Sequence, residues 1–210
     1  NSIKSDKYYQ HFWLHFFMNV SFVRNDSTVG TQANIKENYG SISIGNSRSR
    51  LSVTFERLEQ EILNNTTQEV IDELLMYTTK LDGTKGLEEK LQDGGFKNRL
   101  IQKAILQKEM YAKRATKYEC YPSAQEIILS LFARIKNEFD IRIYPMIIKG
   151  EDVASIIQEV HKQIVSPILQ MIEANGANDQ SLYFNMDHIY GMIYYLTGMC
   201  HLNWKDYDNI

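Results

Sequence analysis

The sequence predicts a mainly α-helical fold, a multi-helix bundle preceded by a short β segment. After Leu51, apolar residues recur three and four positions apart over most of the chain, which is the spacing of amphipathic helices. Residues 28–47 are instead rich in Asn, Gly, Ser and Thr, and Ile42 and Ile44 alternate with polar residues as in a strand. We therefore predict an N-terminal region over residues 1–50, containing an aromatic helix and this strand, and a helical domain over residues 51–210.

The segment around Ile42 and Ile44 admits two interpretations. An isolated strand or hairpin is marginal in water, so a strand here would pair with another chain or with a strand elsewhere. The same Gly, Asn and Ser content is equally typical of a flexible linker.

The helices of the second region follow from their start and stop signals. A first helix follows Leu51, and Thr66 with Glu69 three residues later forms a capping box that predicts the start of a second. Glycines on both sides of Leu87 predict a short helix between them. The remaining predicted helices run from Lys97 to about Tyr118, from Pro122 to a stop or kink at Pro145, from Glu151 to Asn175 with a bend near Pro167 and a stop at Gly176, and from Met186 to Met199.

Composition narrows the class of protein. With 43% hydrophobic and 23% charged residues, the chain is typical of a folded globular domain. The net charge of -3 gives no global argument for a nucleic-acid partner. Cys120 and Cys200 form no CxxC pair, so we expect neither a disulfide framework nor a structural zinc. No apolar run approaches the roughly 20 residues of a membrane helix, and no signal peptide is evident, so we expect a cytoplasmic protein without a membrane segment.

No combination of residues predicts a catalytic, cofactor or metal site. His11 and His15 would share a helix face, but no third ligand follows at a metal-binding spacing. Cys200 and His201 are adjacent and would point in different directions from a helix. The glycines of KLDGTKGLEEKLQDGGF match neither phosphate-binding motif and are interpreted as turns and helix stops.

The last thirty residues are the first candidate interface. Chain ends normally fray, yet this one is rich in aromatic and methionine residues, which must pack against the domain itself or against a partner. We predict a homo-oligomer, with a symmetric dimer as the simplest form. The candidate interface residues here are Tyr190, Tyr194, Tyr195 and Trp204, together with Ile42 and Ile44 of the predicted strand.

The long helix from Lys97 is the second candidate interface. Opposite its apolar stripe lie five cationic residues, with Leu106 and Met110 among them. This face fits an acidic and apolar protein partner, a nucleic acid contacted through its phosphates, or plain solvent. The cationic residues are Arg99, Lys103, Lys113, Arg114 and Lys117.

Three segments resemble a known family. The run KLDGTKGLEEKLQDGGF, the segment QKEMYAKRATKYECYPSAQEI and the terminal GMIYYLTGMCHLNW resemble the C-terminal domain of effector components in bacterial three-component ABC-ATPase conflict systems, relatives of Lamassu-type anti-phage defence. The resemblance covers residues 51–210. It implies a helical domain that holds effector copies together and docks on an SMC-like ATPase and a small middle subunit, with any effector active site in a separate N-terminal domain.

We therefore expect a non-catalytic oligomerisation and partner-docking domain of an anti-phage defence effector, with no cofactor. The alternative is a nucleic-acid-binding or metal-dependent nuclease accessory module. In that case the acidic pairs Glu88 and Glu89, or Asp206 and Asp208, would bind a divalent ion.

Overall fold

Seven helices and no strand make up residues 48–81 and 85–207, the part of the chain that the computed structural model describes. They confirm the predicted mainly helical class. The predicted N-terminal aromatic helix and the strand with Ile42 and Ile44 lie outside the described residues. The helices are α1 (Arg50–Leu63), α2 (Asp72–Thr78), α3 (Leu87–Asp93), α4 (Asn98–Tyr118), α5 (122–148), α6 (153–175) and α7 (Met186–Gly198).

Helices α5 and α6 each pass through a proline by means of a π-helical turn. A proline has no N–H, and its ring clashes with the carbonyl four residues earlier, so a regular α-helix cannot accommodate it. The wider π turn relieves this conflict. Both helices therefore continue past Pro145 and Pro167, and neither proline is a helix end. The segments are Pro122–Glu138, Phe139–Ile143 (π) and Tyr144–Ile148 in α5, and Val153–Val160, His161–Val165 (π) and Ser166–Asn175 in α6.

The predicted capping box at Thr66 is wrong, because α2 begins only at Asp72. The fully buried Gln125 of α5 explains the late start. Its side-chain oxygen accepts a hydrogen bond from the Ile71 N–H (2.9 Å), and its amide nitrogen donates to the Glu69 carbonyl (3.1 Å). These bonds take up the backbone groups that the predicted helix would use, so tertiary contacts override the local signal.

Helices α4 and α7 pack closely against each other at the centre of the fold. A Cβ atom at Gly191 of α7 would lie 2.2 Å from the Gln107 carbonyl oxygen and 2.6 Å from the Tyr111 Cβ, so only glycine permits this approach. Gln107 also donates a 2.8 Å hydrogen bond to Asp187. One side of α4 is thereby fixed against α7, and its opposite side remains on the surface.

Candidate docking surface

Two of the C-terminal aromatic residues, Trp204 and Tyr194, lie in the interior of the domain. Trp204 is 3% exposed, and its ring contacts Phe96 and Phe139 at centroid distances of 4.9 and 5.1 Å. Its indole N–H donates to the Thr197 hydroxyl at 3.0 Å. Tyr194 is 7% exposed, and burial raises the pKa of its phenol. Both side chains belong to the core of the domain. Packing within the domain therefore accounts for them, and their position does not support the docking role predicted for them.

Tyr190 and Tyr195 are half-buried and are also held by residues of the same domain. The Tyr195 ring stacks on Phe132 with centroids 5.8 Å apart. The Tyr190 ring stacks on His161, and its hydroxyl lies 3.3 Å from the His161 Nδ1. These rings therefore contribute at most an edge to any interface.

The chain reverses direction at the end of α7. Helix α7 ends in a Schellman motif, in which the His201 N–H donates to the Leu196 carbonyl (2.9 Å) and the Cys200 N–H to that of Thr197 (3.1 Å). Cys200 occupies the position of this motif that favours glycine, with φ 67°. The turn directs the following residues, including Trp204, back across the domain.

Lys90 of α3 and Gly94, just after α3, contact this C-terminal segment. A Cβ atom at Gly94 would lie 2.7 Å from the Trp204 Cβ, so the glycine makes room for the tryptophan. Lys90 is 4% exposed and donates a 2.9 Å hydrogen bond to the Asn203 side chain. Burial lowers the pKa of Lys90. Sequence reasoning missed Lys90, because lysine is rarely buried and its position on a short helix gives no signal of burial.

The predicted cationic face of α4 lies on the surface. Four of its five cations are exposed, and Leu106 between them is 61% exposed, while Met110 is half-buried. The exception is Arg114, which is half-buried and donates a 3.0 Å hydrogen bond to the Ser181 carbonyl. The exposed cations are Arg99, Lys103, Lys113 and Lys117.

Most of these cations have no acidic partner among the described residues. Helix α4 contains six Lys and Arg residues and a single acid, Glu109. Arg99, Lys103 and Lys113 form no ion pair with any residue in 48–81 or 85–207. The Lys117 ammonium lies over the Tyr118 ring, 5.2 Å from its centroid. Three cations of α1 and α5 do form ion pairs: Arg57 with Glu126, Lys136 with Asp140, and Arg142 with Glu138.

A second exposed apolar group lies at the end of α5, where sequence reasoning proposed no interface. Ile141 and Ile148 are 62% and 53% exposed, and Pro145 between them is also exposed. Their spacing of four and three residues was visible in the sequence, but the predicted break at Pro145 concealed that the three residues share one helix.

The described residues offer little for metal or membrane chemistry. No three His, Cys, Asp or Glu side chains within 48–81 and 85–207 are grouped closely enough to hold a metal ion. The described helices are all too short or too polar to cross a membrane.

The His201 Nε2 is buried without a hydrogen-bond partner, and burial, with the charge of Lys136, lowers the pKa of this imidazole.

Comparison with known families identifies the domain that carries this surface. A family model for C-terminal domain 9 of the ABC-three component (ABC-3C) systems matches residues 86–204, more than half of the chain. The chain belongs to this family. The match runs from Gly86, the residue before α3, to Trp204, so the ABC-3C domain includes α4, α7 and the C-terminal segment fastened to α3. This confirms the resemblance found in the sequence. Neither a characterised protein nor a solved structure gave a significant match to the chain.

Proposed function

We propose that the helical domain is a non-catalytic docking and oligomerisation module in the effector component of a bacterial anti-phage defence system. Membership of an ABC-3C family supports the proposal, because a system of three components needs surfaces through which they meet. The observation that carries it is the face of α4, where Arg99, Lys103 and Lys113 lack ion-pair partners among the described residues around a leucine that is 61% exposed. A partner with acidic and apolar residues would form ion pairs with these cations and cover the leucine.

The proposed partners come from the family resemblance. They are the SMC-like ATPase and the small middle subunit, in the cytoplasm. Self-association is proposed as a separate property. The exposed end of α5 supports it better than the C-terminal aromatics do, because Ile141 and Ile148 are on the surface and Trp204 is not. The mixed charges beside them, Arg142 and Asp140, suit contact with a second copy.

Nucleic-acid binding is the second candidate function. Exposed cations along one helix can follow a phosphate backbone, and this observation favours it. The exposed Leu106 in the middle of these cations favours a protein partner instead, because a phosphate backbone offers no apolar contact there.

The test of the proposed function is co-expression of the tagged intact protein with the other components of its ABC-3C system. We expect them to co-purify with the intact protein and to be lost when residues 46–210 are deleted. Co-purification that survives this deletion would contradict the docking role. Light scattering of the intact protein tests self-association, and a monomeric mass at every micromolar concentration would remove that part of the proposal.

A further inference from the structure

Six residues on the outward side of α4 form one continuous stripe. When the helix is viewed along its axis, with 100° between successive residues, the six side chains all lie within about 40° of one direction. They follow one another at steps of four and three residues, the spacing of the seam along which coiled-coil helices meet. The opposite side of the helix is buried, with Ile101, Ala104, Gln107 and Tyr111. We call the outward set the α4 stripe: Arg99, Lys103, Leu106, Met110, Lys113 and Lys117.

The α4 stripe is apolar at its centre and cationic at both ends. Leu106 and Met110 occupy the middle, with two cations before them and two after. From Arg99 to Lys117 the stripe is about 27 Å long at 1.5 Å per residue, or five helical turns. The pattern is the same in both directions, so it fits a partner helix of either orientation.

This arrangement is unfavourable for a helix that only faces water. Like charges four residues apart repel each other, and the stripe contains two such pairs, Arg99 with Lys103 and Lys113 with Lys117. The first turn of α4 contains no acid, so Arg99 lies unopposed near the positive end of the helix dipole. Carboxylates of a partner at both ends of the stripe would remove each of these repulsions.

We propose that the α4 stripe binds one amphipathic helix of another protein component, with aliphatic residues at its centre and Asp or Glu at both ends. This rests on the docking function proposed above and specifies its partner. Charge complementarity selects the acidic ends, and the seam spacing together with the exposed Leu106 selects an apolar helix face between them.

A second copy of this chain does not supply such a helix within its described residues. Helices α5 and α2 both place acids before exposed apolar residues. In α5, Glu138 and Asp140 precede Ile141 and Ile148, but both acids already pair with cations of the same helix, and α5 ends at Ile148, so this helix has no acid after them. In α2, Asp72 and Glu73 precede the exposed Leu75 and Met76. Helix α2 has seven residues and is about 10 Å long, well under half the stripe, and its acids lie at one end only. The described residues of a second copy thus offer no matching helix, and we assign the occupant to a different protein.

The first experiment is site-specific photo-crosslinking. A photoreactive amino acid replaces Leu106 in the intact protein, which is co-expressed with the other components of its system, and crosslinked peptides are identified by mass spectrometry. The matched control places the same group at Lys162, an exposed residue of α6. We expect position 106, and not position 162, to crosslink to a helical segment of another component with acids on both sides of an apolar centre.

The second experiment is a charge exchange on the segment so identified. The double variant Arg99→Glu and Lys103→Glu should reduce the co-purified component about tenfold or more, and acid-to-lysine changes at the facing end of the partner should restore it. The pair Lys113→Glu and Lys117→Glu repeats the test at the other end of the stripe, should the first pair impair folding. Thermal melting of each variant shows whether the fold is intact.

Several results would overturn the proposal. A crosslink from position 106 to nucleic acid, to a second copy, within the same chain, or to a segment without acids would do so, as would no crosslink at all. Unchanged co-purification by both charge-reversed variants would also contradict it. If the components still require residues 46–210 in that case, the docking function survives and only the α4 stripe is refuted as its site.

Discussion

Replacing Trp204 by alanine should destabilise the fold rather than weaken docking. The side chain is 3% exposed and contacts the rings of Phe96, Phe139 and Tyr194, and its N–H donates to Thr197. Removing a buried aromatic side chain of this size costs about 3 to 5 kcal/mol, from lost burial and the cavity that remains. That is a large share of the roughly 5 to 15 kcal/mol by which domains are stable.

The assay for Trp204→Ala is thermal unfolding followed by circular dichroism. For a domain of this length each kcal/mol lowers the melting temperature by about 2 to 4 °C, so a fall of roughly 6 to 20 °C is expected. Leu106→Ala is the control, because an exposed side chain should change stability by no more than about 0.5 kcal/mol. A Trp204→Ala protein that melts within 2 °C of the wild type but loses its partners would refute the placement of Trp204 in the core.

Three further predictions use the same unfolding assay. Gly191→Ala should cost about 1 to 3 kcal/mol, because the new Cβ has no room against α4, and an unchanged melting temperature would contradict that contact. Gln125→Leu should cost about 3 kcal/mol or more, since it leaves backbone groups of Glu69, Ile71 and Glu119 without their partner; a loss under 1 kcal/mol would count against this role. His201 has a pKa lowered by burial, so its neutral form contributes stability above the unfolded pKa of about 6.5 that is lost as the pH falls below it. Stability of the wild type should therefore fall more steeply from pH 7 to 5 than that of His201→Gln, and equal slopes would refute this.

Much of the fold could be predicted from local sequence signals. The start of α4, its end at Tyr118, the opening of α5 at Pro122 and the stop of α6 at Gly176 all agree with the structure, because periodicity, proline and glycine act within a few residues. The start of α2 could not be predicted, because it depends on Gln125, more than fifty residues away in the sequence. A capping box is a local preference that distant hydrogen bonds can override.

The candidate site was predicted in part. The charges of α4 reach the surface as expected, because unpaired lysine and arginine residues avoid burial. Arg114 differs because the Ser181 carbonyl accepts its hydrogen bond, a contact across a loop that the sequence does not reveal. The C-terminal aromatic residues had to pack either in the core of the domain or against a partner. Cores and interfaces both favour aromatic residues, so composition alone could not show that Trp204 is a core residue and not an interface residue.

The affinity of the intact protein for the component that co-purifies with it tests the central claim most directly. The dissociation constant is measured for the wild type, for the double variant Arg99→Glu and Lys103→Glu, and for Lys162→Glu, whose charge lies on α6. We predict that the double variant binds at least about tenfold more weakly, a loss of about 1.4 kcal/mol, with an unchanged melting temperature, and that Lys162→Glu binds like the wild type. Equal affinity of all three proteins would contradict docking through α4.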